Sequence, residues 1–148
     1  MTFARAAELA ACKFALISSR AMRGLAPLVL LVEDDPETRQ FYTVALERDG
    51  FQVDQAHNGH QALDKAFLAP PDLVVTDIAV PGLDGIELCR RLRADGRTST
   101  VPVLAVTGYD DRQYPDRVTI AGADVVLIKP CGADRIVAEA RRLLGLSQ

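Results

Sequence analysis

Short apolar runs alternate along the chain with longer segments of helical periodicity. Five of these runs have the length and the β-branched content of strands. All but the second are nearly continuous in apolar residues, which is typical of parallel strands covered on both faces, whereas the second alternates and is predicted to lie nearer a sheet edge. The pattern predicts an α/β fold, a three-layer sandwich around a parallel sheet with right-handed crossovers. The predicted strands are Leu28–Val32, 51–55, 73–76, 101–106 and Val125–Ile128.

Four of the five helical segments have a clear apolar face. In the first, Asp35 is the predicted N-cap, Pro36 is the first helical residue, and Phe41 is expected on the core face. The fourth is a poor helix because Pro115 falls inside it, so a shortened or irregular helix is expected there. The predicted helices span about residues 36–49, 60–68, 85–93, 109–122 and 133–144, and the arginines of the third are expected to face outward.

The first 26 residues stand outside this alternation. They are rich in alanine and predict a helix over about residues 3–20, so the chain divides into a helical extension, 1–26, and an α/β domain, 27–148. Glu8 and Lys13 interrupt the apolar stretch, which argues against a secretory signal. Two interpretations stay open. The extension is either poorly structured, with Met22 as a second start, or a helix that docks on its own domain or on a second copy in a homodimer.

Composition narrows the classes of function. The 148 residues fit one domain, and a net charge of -3 with a pI near 5.3 argues against a nucleic-acid-binding surface. No apolar stretch reaches the roughly 18 residues that a membrane-spanning helix needs. Three widely spaced cysteines favour reduced thiols, so the sequence predicts a cytoplasmic protein.

Polar residues follow four of the predicted strands directly. Glu33 and Asp34 follow the first strand, Asp77 the third, Thr107 ends the fourth, and Lys129-Pro130 follows the fifth. Because parallel strands end at the same edge of a sheet, these side chains are expected to meet, with a cis peptide at the proline as a hypothesis for turning the lysine inward. Clustered carboxylates repel unless a cation lies among them, and hard oxygen ligands suit Mg²⁺. The pattern predicts a site for a metal ion and a phosphoryl group.

The combination strongly resembles the receiver domain of two-component response regulators. Besides the residues at the strand ends, the chain has Pro-Gly-x-Asp-Gly after the third strand and several phrases typical of that family. The resemblance covers about residues 28–144, and it implies a flavodoxin-like fold with strand order 2-1-3-4-5. The phrases are Leu-Leu-Val-Glu-Asp-Asp, Asn-Gly-His-Gln-Ala-Leu, Pro-Asp-Leu-Val-Val-Thr-Asp and Ala-Gly-Ala-Asp.

The resemblance also implies roles for individual residues. Asp77 would accept a phosphoryl group from a phosphohistidine of a histidine kinase or phosphotransfer protein. Mg²⁺ would be held by Asp34, Asp77 and the backbone carbonyl of Ala79, with Glu33 acting largely through water. The phosphoryl oxygens would be bound by Thr107 and Lys129. Such a protein is a phosphoacceptor and not an enzyme, beyond self-catalysed phosphotransfer and slow autodephosphorylation.

Two departures from the family pattern concern the output and leave the phosphoacceptor residues unchanged. Receiver domains usually have Tyr or Phe three residues before the strand-five lysine, and here that position is Val126. The usual coupling between the threonine and that aromatic residue is therefore not expected. Together with Pro115, which lies in the segment that normally belongs to the output face, Val126 predicts an unusual route for the signal.

The preferred interpretation is a stand-alone receiver, a switched binding protein or a phosphorelay shuttle, because the sequence ends directly after the last helix. The first alternative is a receiver excised from a longer hybrid protein. The second is an interaction or dimerisation module with phosphorylation-independent output. The third is a metal-dependent phosphohydrolase, which would need an acid at position 79, where the chain has Ala79. The downstream target stays unknown.

Overall fold

The computed structural model describes residues 25–108 and 113–146. The helix predicted over residues 3–20 lies outside the described residues, and the division into 1–26 and 27–148 stays a prediction. Within the described ranges, no helix combines the length and the apolar character that a membrane crossing requires.

Five parallel strands form one sheet in the order β2-β1-β3-β4-β5, as the resemblance implied. The strands are β1 Leu28–Val32, β2 Gln52–Ala56, β3 Leu73–Asp77, β4 Val103–Thr107 and β5 Val125–Ile128. The helices are α1 Pro36–Arg48, α2 Gly59–Leu68, α3 Gly85–Ala94, α4 Gln113–Ala121 and α5 Ala133–Leu143. The predicted fold class, a flavodoxin-like α/β sandwich, is confirmed.

Two separate apolar clusters explain the three layers. One face of the sheet packs against α2, α3 and α4, and the opposite face packs against α1 and α5. β3 and β4 are buried along their whole length because they lie between both clusters. β2 is an edge strand and is only partly buried, which confirms the expectation from its alternating sequence.

The core face of α1 differs from the prediction. Phe41 is 61% exposed, whereas Tyr42, Thr43 and Leu46 are buried. Neighbouring residues on a helix point about 100° apart, so a one-residue error in the assigned face turns an aromatic side chain to solvent. Thr43 is accommodated because its hydroxyl donates to the Arg39 carbonyl at 2.7 Å.

α4 is short, as predicted, but Pro115 does not interrupt it. The helix begins at Gln113, so Pro115 lies in its first turn, where a missing N–H leaves no helical hydrogen bond unmade. The sequence pattern extended the helix from residue 109, and residues 109–112 lie outside the described part of the chain.

Arg93 on α3 does not face outward, contrary to the prediction. Its guanidinium donates to the carbonyl of Gly122 at 3.1 and 2.8 Å and to that of Val101 at 2.5 Å. It also pairs with the Asp124 carboxylate at 2.9 Å. One side chain therefore pairs with the loops that lead into β4 and β5.

We expect Arg93→Met to lower the free energy of unfolding by about 2–4 kcal/mol, because several polar groups would lose a charged donor at once. Denaturant unfolding measures this change. The control is Arg90→Met on the same helix. Among the described residues Arg90 makes only an exposed pair with Glu87 at 3.4 Å, so its substitution should cost less than about 0.5 kcal/mol. Equal stability of the two variants would contradict the assigned role of Arg93.

Candidate functional site

The residues singled out at the strand ends lie along the carboxyl edge of the sheet. Glu33 and Thr107 are each 3% exposed and Asp77 is 8% exposed. Asp34 is exposed, and Lys129 is partly buried. The structure thus groups side chains from β1, β3, β4 and β5, because parallel strands bring their carboxyl ends together.

The three carboxylates of the acidic turn after β1, those of Glu33, Asp34 and Asp35, have different surroundings. Asp35 caps α1, as predicted, by accepting from the Thr38 amide at 2.9 Å, and the hydrogen bonds from Thr38 lower its pKa. The Glu33 amide donates to the Ala56 carbonyl at 3.0 Å, and Glu33 Oε1 accepts from the Asp35 amide at 3.2 Å. These contacts hold Glu33, which is buried, whereas Asp34 is exposed.

Asp77 is held through both of its carboxylate oxygens. Oδ2 accepts from Lys129 Nζ at 2.7 Å, and Oδ1 accepts from the Ala79 amide at 2.9 Å. Lys129 Nζ also lies 3.4 Å from Glu33 Oε2, and the Lys129–Pro130 peptide is cis, as hypothesised. Burial lowers the pKa of the Lys129 ammonium, but its hydrogen bond and charge pairing with Asp77 outweigh this and raise it overall.

The Pro-Gly-x-Asp-Gly motif shapes the loop that follows Asp77. The Gly85 amide donates to the Ile78 carbonyl at 2.9 Å, and a methyl group on Gly85 would lie 2.7 Å from Ile78 Cα. Gly82 has φ +77°, which favours glycine. Asp84 caps α3 by accepting from the Glu87 amide at 2.9 Å. The motif therefore sets the backbone on one side of the phosphoacceptor candidate.

The donor set fits a hard divalent cation. Glu33, Asp34 and Asp77 each offer a carboxylate oxygen, and these oxygens lie within 4.8 Å of one another. Burial and the charge of Asp77 raise the pKa of Glu33 to about 7, although Lys129 opposes this shift. Closely spaced carboxylates beside one ammonium have an excess of negative charge, and oxygen ligands that are open to water on one side suit Mg²⁺.

Three further residues lie at or beside the candidate site: Thr107 and Ala79, which were predicted, and Arg39, which was not. Thr107 lies beside Lys129, whose amide donates to the Thr107 carbonyl at 2.7 Å. Ala79 is exposed, and its amide binds Asp77. Arg39 was not predicted from the sequence, and its Nη1 donates to the Glu33 carbonyl at 2.9 Å. Arg39 lies within the first turn and a half of α1, close to the acidic turn, and this position was the available signal that it belongs near the site. The sequence does not show which carbonyl groups its guanidinium can reach.

Comparison with known proteins defines the class of this chain. The family profile of the response regulator receiver domain matches residues 29–141. The chain therefore belongs to the receiver domain family of two-component signalling, as its motifs indicated.

The similar curated proteins are bacterial response regulators. The chain is 36% identical over 118 residues to the DNA-binding dual master transcriptional regulator RpaA of Synechocystis, covering 80% of this chain and 49% of that protein. It is 37% identical over 116 residues to the response regulator MprA of Mycobacterium avium, covering 78% of this chain and 50% of that protein. The chain thus spans about half the length of these relatives.

Solved structures give the same fold. The receiver domain of a signal transduction histidine kinase from Syntrophus aciditrophicus has a TM-score of 0.76 and 33% identity, covering 81% of this chain and 91% of that one. The receiver domain of the sensor histidine kinase PA1611 from Pseudomonas aeruginosa has a TM-score of 0.76 and 28% identity, covering 81% and 98%. That second structure has a magnesium ion in its active-site cleft.

We expect Glu33→Gln to stabilise the metal-free protein at high pH. The pKa of Glu33 is about 7 in the fold, above its ordinary 4.5, so the folded state keeps a proton that the unfolded chain has lost between these values. Wild-type stability should therefore fall as pH rises through that window. The gain from Glu33→Gln should be near zero at about pH 4.5 and about 1–3 kcal/mol at about pH 8.

Denaturant unfolding in a chelator at both pH values measures this gain. Glu37→Gln, on the exposed surface of α1, is the matched control and should show no such pH-dependent gain. A Glu33→Gln protein that gains no more stability at high pH than at low pH would show that burial and the charge of Asp77 do not raise the pKa of Glu33 in the fold.

Proposed function

We propose that Asp77 accepts a phosphoryl group from a phosphohistidine in a Mg²⁺-dependent reaction. The observation that carries the proposal is the setting of Asp77: a nearly buried carboxylate, bound by Lys129 and the Ala79 amide, with two further acids close by. Receiver domains in general interact with histidine kinases and phosphotransfer proteins, and such a protein is the proposed donor here. The chain would then act in a two-component pathway or phosphorelay in the cytoplasm, as a phosphoacceptor and not as a separate enzyme.

The proposed phosphoryl transfer is a displacement at the phosphorus atom. A carboxylate oxygen of Asp77 attacks the phosphorus atom, an O–P bond forms, and the P–N bond to the donor histidine breaks. The imidazole nitrogen takes the bonding electron pair, and a proton on the other ring nitrogen keeps the leaving group neutral. Catalysis of such a transfer is mainly a matter of positioning and of charge stabilisation.

The residues around Asp77 supply these effects in the proposal. Asp34, Asp77 and the Ala79 carbonyl would hold Mg²⁺, with Glu33 contributing through water; the bound ion would supply positive charge beside the phosphoryl oxygens. The ammonium of Lys129 would exchange its bond to Asp77 for one to a phosphoryl oxygen. The hydroxyl of Thr107, also at this edge of the sheet, would donate to another.

An interaction module with phosphorylation-independent output is the second candidate. The observation that favours it is Val126, which is partly buried on β5 and packs against the cluster that contains Val118 of α4. A valine there offers no aromatic ring to swing between an outer and an inner position. That this chain acts as a stand-alone receiver is also part of the proposal, because the chain spans only about half the length of the curated relatives.

We expect Asp77→Asn to abolish phosphorylation. Incubation with Mg²⁺ and acetyl phosphate, or with a phosphorylated histidine kinase, should add the mass of one phosphoryl group to the wild-type protein as an acid-stable, base-labile adduct. Asp64→Asn, an exposed aspartate on α2, is the matched control and should be modified like the wild type. Absence of an adduct with every donor would favour the interaction module, and turnover of unrelated phosphate esters would favour a hydrolase.

We expect slow loss of the phosphoryl group, because the small apolar side chain of Ala79 cannot orient an attacking water. Ala79→Gln should shorten the lifetime of the adduct about tenfold, equivalent to about 1.4 kcal/mol in the barrier. Chemical shift or mass measurements over time follow the decay. The control is Ala94→Gln, at the exposed end of α3 away from the site. A wild-type half-life of only seconds in Mg²⁺ would contradict the expectation.

A further inference from the structure

Arg39 binds the backbone of the acidic turn. Its Nη1 donates to the Glu33 carbonyl at 2.9 Å and reaches the Asp34 carbonyl at 3.5 Å. The two carbonyls are consecutive and converge on one nitrogen, which has two hydrogens to donate. Arg39 therefore restrains the peptide plane before Asp34, and more weakly the plane after it, and these two hydrogen bonds go to carbonyls and not to the three clustered carboxylates.

Backbone anchoring matters most for Asp34. Glu33 and Asp77 are buried and have side-chain partners, whereas Asp34 is exposed and, within residues 25–108 and 113–146, has no hydrogen bond that holds its carboxylate in place. The direction of its side chain is set by its own backbone. A hydrogen bond that fixes the neighbouring carbonyls thus limits where the Asp34 oxygens can lie.

The backbone of Arg39 is itself held by the next turn of α1, on the same face of the helix. Its own carbonyl accepts from the Thr43 hydroxyl at 2.7 Å, and the Gln55 side-chain amide donates to that hydroxyl at 2.8 Å. The contacts run from β2 through α1 to the end of β1. This arrangement resembles an outer layer of support for metal ligands, in which groups that do not touch the ion keep its ligands in position.

We propose that Arg39 is a positioning residue for the metal site: by holding the Glu33 and Asp34 carbonyls it places the Asp34 carboxylate where Mg²⁺ needs it. This inference rests on the Mg²⁺ site of the proposed function. It goes beyond that function because it attributes part of the Mg²⁺ affinity to Arg39, a positively charged side chain that repels Mg²⁺.

The sign of the effect separates positioning from charge. Arg39 adds a positive charge near the acidic cluster, and by Coulomb interaction alone its removal would strengthen Mg²⁺ binding. Loss of positioning would weaken binding instead. Arg39→Met removes both the charge and the donors, so the two explanations predict opposite changes for the same variant.

Mg²⁺ affinity of the full chain, measured by isothermal titration calorimetry, tests the proposal. Arg39→Met should weaken binding about tenfold or more. Arg39→Lys retains the charge and a single donor group and should show a smaller loss. The control is Arg48→Met, the same substitution in the last turn of α1, which should leave the affinity unchanged. At saturating Mg²⁺, phosphorylation of Arg39→Met by acetyl phosphate should recover to the wild-type rate.

Each outcome decides between alternatives. Tighter or unchanged binding by Arg39→Met overturns the positioning role, and so does a loss of the same size in Arg48→Met. If the fold of Arg39→Met is compromised, unchanged affinity of Arg39→Lys overturns the proposal by itself. If the wild-type protein binds no Mg²⁺, or if Asp34→Asn leaves its Mg²⁺ affinity intact, the metal site is overturned together with the role of Arg39. Normal Mg²⁺ binding without any adduct on Asp77 would instead reject the phosphoacceptor function and leave the role of Arg39 standing.

Discussion

Lys129 and Asp77 pair across an intervening strand, and this contact organises the site. Asp77 ends β3 and Lys129 follows β5, with β4 between them, so their backbones are about 10 Å apart at ordinary strand spacing. Only a long cationic side chain spans that distance, and Nζ reaches Asp77 Oδ2 at 2.7 Å. The parallel order of the strands makes the meeting possible, because it brings the end of β3 and the end of β5 to the same edge.

The same contact leaves the site electrostatically unbalanced. Lys129 serves both Asp77 and Glu33, and Asp34 adds a further negative charge at the exposed rim. Burial first, and the charge of Asp77 second, raise the pKa of Glu33, although Lys129 opposes this shift. A cluster of this kind weakens the metal-free fold and favours a cation, which is the usual exchange of stability for function at such sites.

The sequence allowed the fold and most of the site to be predicted, because both depend on patterns that are local in the chain. Strand ends are visible as apolar runs that stop at a charged residue, which placed Asp77, and Asp35 was recognisable as an N-cap because Pro36 follows it. Phe41 and Arg93 were placed wrongly for a physical reason: the buried face of a short helix and the partners of a long side chain are set by neighbours distant in sequence. Arg39 was missed for the same reason, since only the folded chain shows which carbonyls its guanidinium reaches.

The arrangement around Lys129 also bears on how a signal could leave a site without the usual aromatic residue. In the proposed reaction Lys129 exchanges Asp77 for a phosphoryl oxygen, and its pairing with Glu33 must then change as well. The Lys129 amide is bound to the Thr107 carbonyl at 2.7 Å, and Thr107 pairs in register with Ile128, which is half-exposed. Lys129 therefore joins the carboxylate of Asp77, through its side chain, to the ends of β4 and β5, through its backbone. With a valine at position 126, the contacts that join Asp77 to the ends of β4 and β5 through Lys129 contain no aromatic ring.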